Sequence, residues 1–504
     1  PDDEDGYDKE EYDLTPRKNA FYYKYEIAKY ARKGSVGLKK ALELFQEMKS
    51  EARLTPTYEN FSPLFYGCAK AGYTKRAFEL YEEFLKYERK PSLSIVSCLL
   101  NACAECPFPE YGIKRLEWFL TELKVKFAFN LNLIQYNAAI KAYGKLGQLE
   151  EASKLVQEMI DQGISPDLST FQSLLIGCAS NKESGSSLAL RVFKRLKLYD
   201  IQPTTVTYRL LLRCIRDCKL GSDELIQVTI NELPAVTTLQ QRLEYKKRGP
   251  RRDKRFRQTF EWAPILTDLG RSVAGAVSEQ QKTSATDKSF LIQTSPATKS
   301  KQSTASVSTT DDSTMSNHTA RQRISEDSNA IVEAQTFKLP NLLSDDHLDI
   351  IKRLRGLRVD MLQSNHGRLI LFGGLHGFIE AMLKDGCKPD LKTLMLLLAC
   401  LESSKENFLQ IFELSENFKI KRDIDFYDQL IWYICKDHRD QERLEFALDF
   451  IQKIHADDLR PTISTYEALA MGCNRWTQAK QLVDDLEKSN FSLSPRLIAN
   501  FFDV

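Results

Sequence analysis

The sequence lacks a charge imbalance and lacks any apolar run long enough to cross a membrane. Its 71 lysine and arginine residues stand against 69 aspartate and glutamate residues, which leaves a net charge of +2. Overall charge therefore does not identify a partner, and only the distribution of charge can. Residues 391–401 (LKTLMLLLACL) are apolar but too short for a membrane span, so they are predicted to form a buried helix.

Catalytic and metal-binding patterns are also missing. The six histidines form no triad and no ligand spacing, and the motifs of zinc deaminases do not occur. No glycine-rich loop carries the lysine of a phosphate-binding motif. A nuclease needs acids that converge on metal ions, whereas the acidic pairs are scattered at Asp345-Asp346, Asp457-Asp458 and Asp484-Asp485. The sequence therefore predicts no enzyme, no metal site and no cofactor.

What the sequence does contain is a pattern that recurs about every 35 residues. Its clearest copy runs from Tyr136 to Asp167 (YNAAIKAYGKLGQLEEASKLVQEMIDQGISPD). Looser copies begin near Tyr23 and Leu394, and the other copies start at Phe61, Val96, Phe171, Tyr208, Tyr427 and Tyr466. Periods of this length indicate a solenoid of stacked units.

Each copy is predicted to be a pair of helices. Apolar residues within 136–143 and within 152–159 follow the i, i+3, i+4, i+7 spacing of a helix stripe. Gly147 and Gly163 end the two segments, because glycine tolerates the left-handed backbone of a helix terminus. Pro166 cannot continue the second helix. One such hairpin cannot bury its apolar face, so neighbouring hairpins must stack.

The predicted fold is all-α, an α-solenoid of helix-turn-helix repeats in two arrays separated by a disordered insert. Residues 1–15 form an acidic tail that is neither a signal nor a transit peptide, and we expect it to be disordered. Residues 16–230 hold about six hairpins, and residues 341–504 hold the second array. Between them, residues 231–340 are first basic and then rich in serine and threonine, which predicts disorder.

The eleven cysteines are interpreted as packing residues. Four of them lie seven residues after the start of a repeat, at Cys68, Cys103, Cys178 and Cys473. That position is a buried one on the first helix, where a free cysteine behaves as a small hydrophobe. The Cys103-x-x-Cys106 pair has no second pair at zinc spacing.

The copy from Tyr136 to Asp167, with its Tyr-Asn, Gly, Glu-Ala, Glu-Met, Gly and Pro-Asp, resembles the pentatricopeptide repeat. The tetratricopeptide repeat has a similar length, but its tryptophan and Leu-Gly pattern is not seen. The resemblance covers about residues 17–230 and 370–504. The segments FYYKYEIAKYARKGSVGLKKALELF, YGCAKAGYTKRAFELY and GGLHGFIEAML are also similar to one animal mitochondrial member of the family.

The resemblance implies a non-catalytic protein of the mitochondrial matrix that binds single-stranded RNA, roughly one base per repeat. Similarity to the animal mitochondrial member further implies that the RNA partners are tRNA precursors, including leucine tRNAs, and ribosomal RNA. The implied roles are tRNA 3′-end processing, RNA stability and mitochondrial translation. Protein partners in RNA processing or in the mitochondrial ribosome are also expected.

The resemblance also implies which residues contact RNA. The residue directly after the opening aromatic contacts the base edge, and the residue directly after the closing proline position assists. In the first array these pairs are Lys24 with Thr57, Ser62 with Ser92, Ser97 with Asn132, Asn137 with Asp167, and Gln172 with Thr204, and Arg209 opens the last copy.

Two of these pairs are similar to known base readers. Asn137 with Asp167 resembles a uracil reader, and Ser97 with Asn132 resembles an adenine reader. The alternative is that such residues are only helix caps and turn residues.

The second array departs from the reading pattern. Its pairs are Asp428 with Thr462 and Glu467 with Arg496. The two acids would repel phosphate, which puts base reading by this array in doubt.

Basic residues give a second signal. Arg209, Arg213 and Arg216 share one helix face at i, i+4 and i+7 and, with Lys219, could hold phosphates. The alternative is a solvated helix face.

A basic arm is predicted within residues 246–257, next to Phe256, Phe260 and Trp262, and would combine phosphate attraction with base stacking. The alternative is a localisation-like or solubilising run. The basic residues of the arm are Lys246, Lys247, Arg248, Arg251, Arg252, Lys254, Arg255 and Arg257.

A different function class stays open. Solenoid grooves also bind peptides and domains, so the chain could be an interaction scaffold that recruits an RNA-processing enzyme or a ribosomal factor. The acidic second array suits that role better than RNA does. The salt dependence of binding distinguishes an RNA partner from a protein partner, because contacts to RNA phosphates weaken steeply as salt rises.

Overall fold

The computed structural model describes residues 19–222, 341–343 and 362–502, except positions 89, 437–440, 474 and 489–490. Within these ranges the chain forms twenty helices, and β pairing is limited to one isolated bridge between Asn341 and Phe372. The all-α prediction is confirmed. The acidic tail, residues 231–340 and the basic arm lie outside the described residues.

The helices before the undescribed segment alternate as first and second members of hairpins. Their bounds are α1 Ala20–Ala31, α2 Gly34–Ser50, α3 Tyr58–Ala71, α4 Thr74–Phe84, α5 Leu93–Ala104, α6 Pro109–Val125, α7 Leu133–Lys145, α8 Leu149–Asp161, α9 Leu168–Ser180, α10 Gly185–Leu198 and α11 Thr205–Asp217.

Nine helices follow that segment. Their bounds are α12 Asn365–Ile370, α13 Gly374–Lys384, α14 Leu391–Cys400, α15 Lys405–Asn417, α16 Ile424–Lys436, α17 Gln441–Ala456, α18 Ile463–Ala470, α19 Trp476–Lys488 and α20 Pro495–Phe502. Helix α14 is the apolar stretch predicted from the sequence, and its Leu394 and Leu397 are fully buried. None of the described helices combines the length and apolarity that a membrane crossing requires.

Short polar side chains begin the first helices of the hairpins. Asp167 accepts a hydrogen bond from the Thr170 amide at 2.9 Å, and Asp390 accepts one from the Thr393 amide at 2.9 Å. Each bond satisfies one of the amides that the first turn leaves without a partner. Gly147 follows α7 with φ 80°, the left-handed conformation that lets the chain turn into α8.

Consecutive first helices pack on one another, and small residues allow them to approach closely. A Cβ added to Gly144 of α7 would lie 2.9 Å from the Cα of Gly177 on α9. Side chains larger than hydrogen are therefore excluded at this crossing. Large aromatic residues fill the space between first and second helices, among them the fully buried Tyr136 and Phe171.

The sixth hairpin is completed across the undescribed segment. Tyr208 of α11 is fully buried, and its hydroxyl lies 2.6 Å from Asp385 Oδ2 and 3.0 Å from the Ala381 carbonyl oxygen. The Tyr208 ring packs edge-on against Phe378, with centroids 5.5 Å apart. Helix α13 thus occupies the second-helix position beside α11, although residues 218–373 separate the two in sequence.

Two further contacts hold this junction together. Helix α14 packs directly on α11, as the first helix of the next hairpin. Arg368 of α12 is buried, and its Nε donates to the Ile215 carbonyl oxygen near the end of α11 at 2.8 Å. The first and second arrays therefore stack as one continuous solenoid.

The cysteine interpretation is confirmed at the four repeated positions. Cys68, Cys103, Cys178 and Cys473 are at most 1% exposed. Burial raises the pKa of the Cys68 thiol to about 12 and that of the Cys103 thiol to about 12. These thiols stay protonated at neutral pH and act as packing groups.

Candidate nucleic-acid interface

The predicted base-contacting residues form a row along the edge where successive first helices meet, called here the reading row. It contains the residue after each opening aromatic, including Asn137, Gln172, Arg209 and Asp428. The aromatic fixes the helix rotation. Tyr136 is buried, and its hydroxyl donates to Glu158 Oε1 on α8 at 3.0 Å. The next residue along α7 is thereby turned toward α9.

Asn137 and Asp167 lie together, as the resemblance implied. Asn137 Nδ2 donates to Asp167 Oδ1 at 3.0 Å, and Thr170 Oγ1 donates to Asn137 Oδ1 at 2.6 Å. Asn137 is only 8% exposed. An amide nitrogen carries two hydrogens, so the contact with Asp167 uses one N–H of Asn137 and leaves the second.

The same geometry recurs one hairpin later and again in the second array. Gln172 Nε2 lies 3.2 Å from Thr204 Oγ1 and 3.3 Å from Thr207 Oγ1. Asp428 accepts hydrogen bonds from Thr462, at 2.9 Å, and from Thr465. Burial raises the pKa of the Asp428 carboxyl, while the threonine hydroxyls partly oppose the shift. The reading row therefore runs through both arrays.

Asp428 differs from the amides in what it can offer a base. A carboxylate only accepts hydrogen bonds, and both of its oxygens already receive threonine hydroxyls. The doubt about base reading by the second array thus has a structural reason at this position.

Other predicted pairs do not contact each other in the same way. Lys24 pairs with Glu59 at 2.7 Å, while the Thr57 hydroxyl donates to Asn60 at 2.8 Å. Glu467 accepts a hydrogen bond from Ser494 rather than meeting Arg496. Lys24 and Glu467 thus contact other residues of the next repeat, and Thr57 caps its own helix, so these pairs do not form as predicted.

The adenine-type pair is also rearranged. Ser97 Oγ accepts a hydrogen bond from Gln135 Nε2 at 2.9 Å, whereas Asn132 caps α7 by accepting from the Ile134 amide at 2.9 Å. Ser92 caps α5 and contacts the Tyr58 hydroxyl at 3.3 Å, and its predicted partner Ser62 lies half-buried on α3. Asn132 and Ser92 therefore act as helix caps, the alternative to base reading.

Arg209 has a partner that sequence reasoning did not identify. Its Nη1 lies 2.9 Å from Asp390 Oδ2, the residue after Pro389. This is the pairing pattern of Asn137 with Asp167, formed across the undescribed segment. Arg213 and Arg216 follow on the same helix, and both lie near Asp217, at 3.6 Å and 2.6 Å.

Exposed apolar residues complete the row and were also missed. Ile134 is 64% exposed and lies three residues before Asn137, and Val206 is 42% exposed and lies three residues before Arg209. Residues three apart share a helix face, so these side chains flank the reading positions. An apolar surface beside a polar edge suits the flat face of a base. The signal in the sequence was an apolar residue at the same repeat position.

The described residues contain no group of three or more histidine, cysteine, aspartate or glutamate side chains that could hold a metal ion. The predicted contacts of the basic arm fall outside the described residues.

Comparison with known proteins identifies the repeats. The PPR repeat model matches residues 61–88, and the PPR repeat family model matches residues 131–180. Pentatricopeptide repeat-containing protein 1, mitochondrial, of Mus musculus is 26% identical over 97% of this chain, and its Homo sapiens counterpart is 27% identical over 94%. The chain spans 68% and 64% of the length of these two relatives.

Solved structures of the pentatricopeptide repeat protein PPR10 are also similar. The maize PPR10 crystal structure aligns with 96% of this chain and 76% of its own, at 14% identity and a TM-score of 0.31. PPR10 in complex with an 18-nt psaJ RNA element aligns with 95% of this chain and 58% of its own, at 15% identity and a TM-score of 0.31. The chain carries pentatricopeptide repeats, and across nearly its whole length it is similar to the mitochondrial pentatricopeptide repeat-containing protein 1 of Mus musculus and Homo sapiens.

Proposed function

We propose that this chain binds single-stranded RNA along its reading row and acts without catalysis of its own. The observation that carries the proposal is the alignment of Asn137 with Asp167 and of Gln172 with Thr204. Both put a side-chain amide at the meeting edge of two first helices, and the amide of Asn137 keeps one N–H that can contact a base. Exposed Ile134 beside Asn137 supplies an apolar surface for the base face.

Similarity to mitochondrial relatives supports a role in mitochondria. We propose tRNA precursors, including leucine tRNAs, as the RNA partners, with ribosomal RNA as a further partner. The protein would hold the RNA for 3′-end processing and so influence RNA stability and mitochondrial translation. Processing enzymes would be recruited as protein partners.

A binding titration of the purified chain with labelled single-stranded RNA tests the first part. The Asn137→Ala variant should lose about tenfold in affinity, since a good amide–base contact contributes about 1–3 kcal/mol. Gln157→Ala is the matched control, because Gln157 carries the same amide on the second helix α8. Equal losses in the two variants would contradict reading through Asn137.

Crosslinking in intact mitochondria, followed by sequencing of the bound RNA, tests the second part. Recovery of tRNA junctions by the wild type and their loss in an Asn137→Ala/Arg213→Ala variant are expected. Recovery of proteins with no RNA would sink the proposal and favour a scaffold.

A scaffold role is a second candidate for the end of the solenoid. Asp428 and Glu467 put carboxyl groups at reading positions, and both accept hydrogen bonds from the next helix start. Carboxylates neither attract phosphate nor donate to bases. Capture of protein partners that persists in high salt and depends on residues after α16 would support it.

A further inference from the structure

The junction of the two arrays contains an open cavity of about 450 Å³. Helix α11 supplies Val206, Arg213 and Arg216 to its wall, α14 supplies Lys392 and Met395, and α16 supplies Gln429. The cavity exists only because α14 stacks on α11 across the undescribed segment. Its size falls within the range of small-ligand sites.

The wall is strongly basic. Four of its residues are cationic, and none of the described residues that line it is acidic. Two of the four are ion-paired with carboxylates outside the lining, Arg209 with Asp390 and Arg216 with Asp217, which leaves Arg213 and Lys392 as the cations available to a ligand. Arg213 is 58% exposed at its side chain, and its nearest carboxylate, Asp217, lies 3.6 Å away. Lys392 is exposed at the start of α14. Cations held this openly attract a polyanion, in a manner that depends on salt.

The reading position at this junction is already occupied. Arg209 is held by Asp390 at 2.9 Å, so its guanidinium is committed to a carboxylate. The equivalent contact between Asn137 and Asp167 involves a side-chain amide, whereas the contact between Arg209 and Asp390 is an ion pair. A nucleotide at the junction would therefore be held without a base-edge reader.

The floor of the cavity is apolar. Val206 is 42% exposed and Met395 is half-buried, and they face the cavity from adjacent first helices. A flat apolar surface accepts the face of any base, because every base has a π-face. The flexible thioether of methionine adapts to different shapes.

Two partly buried aromatic residues follow Gln429 on α16. Trp432 lies three residues after Gln429, and therefore on the same helix face. Its ring meets Tyr433 edge-on at 4.8 Å, and Lys436 Nζ lies 4.7 Å from the ring centroid. Aromatic rings with neighbouring cations are the features that hold single-stranded nucleic acid without sequence preference.

We propose that the junction cavity binds one unstacked nucleotide of single-stranded RNA without reading its base. Arg213 and Lys392 hold the phosphates, and the base lies on Val206 and Met395. The strand then continues toward Trp432, so the second array takes part in RNA binding. This inference rests on the proposed RNA-binding function.

The test uses the full chain with labelled oligouridylate, oligoadenylate and oligocytidylate over a series of salt concentrations. An Arg213→Ala/Lys392→Ala variant should lose about tenfold in affinity for all three, and its salt slope should fall by about 2, one for each cation removed. An Arg76→Ala/Lys154→Ala variant is the matched control, because these exposed cations lie on the second helices α4 and α8.

The outcomes separate the two proposals. A wild type that binds none of the three RNAs overturns the RNA function itself. A wild type that binds, with the junction variant no weaker than the control, overturns the junction site and leaves the function standing. A loss confined to one base would also overturn it, because the site is proposed not to read bases. Both variants replace exposed side chains, so equal thermal melting is expected.

Discussion

The hairpin α7–α8 and the hairpin α11–α13 reach the same arrangement by different chain paths. In the first, residues 146–148 connect the helices, and in the second the connection is residues 218–373. Tyr136 contacts Glu158 at 3.0 Å, and Tyr208 contacts Asp385 at 2.6 Å. The comparison teaches that side-chain contacts define a hairpin in this solenoid, and that a short turn is not required.

The physical reason is the weak length dependence of loop closure. Closure entropy grows only with the logarithm of loop length, so the long connection costs about 3.5 kcal/mol more than the short one. Packing of a single buried aromatic residue is of the same order. A long insert is therefore tolerated between the helices of one hairpin.

The largest effect is expected when the long connection is cut. A specific protease site placed within residues 271–330 should leave the two halves of the wild type together in size-exclusion chromatography. In Tyr208→Ala the cut halves should separate, because loss of a buried aromatic costs about 3–5 kcal/mol. Tyr136→Ala is the control, and its halves should stay together. Separation of the cut wild type would contradict the composite hairpin.

Arg368→Met should give the next largest loss. The change removes the side-chain donor to the Ile215 carbonyl oxygen at the end of α11. The equivalent carbonyl oxygen in the hairpin α7–α8, that of Tyr143, accepts instead from the backbone amide of Gln148, so that hairpin requires no side-chain donor. An unsatisfied buried group of this kind costs about 3 kcal/mol. Urea unfolding measures the loss, and the exposed Arg76→Met should stay within about 0.5 kcal/mol of the wild type. No difference between the two variants would mean that Arg368 does not cap α11.

Tyr208→Phe and Tyr136→Phe compare the two hydroxyls directly. We expect losses of about 2 kcal/mol at Tyr208 and about 1 kcal/mol at Tyr136. The difference follows from exposure, since the Asp385 side chain is 12% exposed and the Glu158 side chain is 31% exposed. Denaturant unfolding midpoints of the two variants show which hydroxyl contributes more to stability. A larger loss of stability in Tyr136→Phe would contradict the explanation by exposure.

Asp428→Asn extends the comparison to the reading row and should give the smallest effect. Burial raises the folded-state pKa of Asp428 above its ordinary value, so the folded protein holds this proton more tightly than the unfolded chain. That contribution is present at low pH and is lost as pH rises through the raised pKa. At neutral pH the asparagine variant should therefore melt slightly higher, by about 2 °C or less. The gain should vanish in acid, and a gain that persists there would exclude the carboxylate as its cause.

Local patterns predicted the repeating parts of the molecule. The period, the glycine ends and the apolar stripes of residues 136–159 identified hairpins, because helix formation depends on neighbours three and four residues apart. The same register placed Cys68 and Cys473 in the core. The pairing of Asn137 with Asp167 followed from the resemblance to the pentatricopeptide repeat, which assigned a role to each of the two positions.

Contacts between distant segments could not be predicted in this way. No local pattern connects Arg209 to Asp390 or Tyr208 to Asp385, because residues 218–373 intervene and either side could have stacked elsewhere. Sequence reasoning also paired Ser97 with Asn132, whereas the structure gives Ser97 to Gln135. Which residue contacts Ser97 depends on how α5 and α7 cross, and side-chain packing between the two helices fixes that crossing.

The sequence by itself determined that this chain is a solenoid of helical hairpins, because periodicity and turn residues act over a few positions. Only the tertiary structure decided that α13 completes the hairpin of α11 and that the two arrays stack as one. The basic cavity between α11 and α14 also depends on the tertiary structure, because its wall combines residues of both arrays. Burial of Tyr208 and the Arg209–Asp390 ion pair bring those residues together.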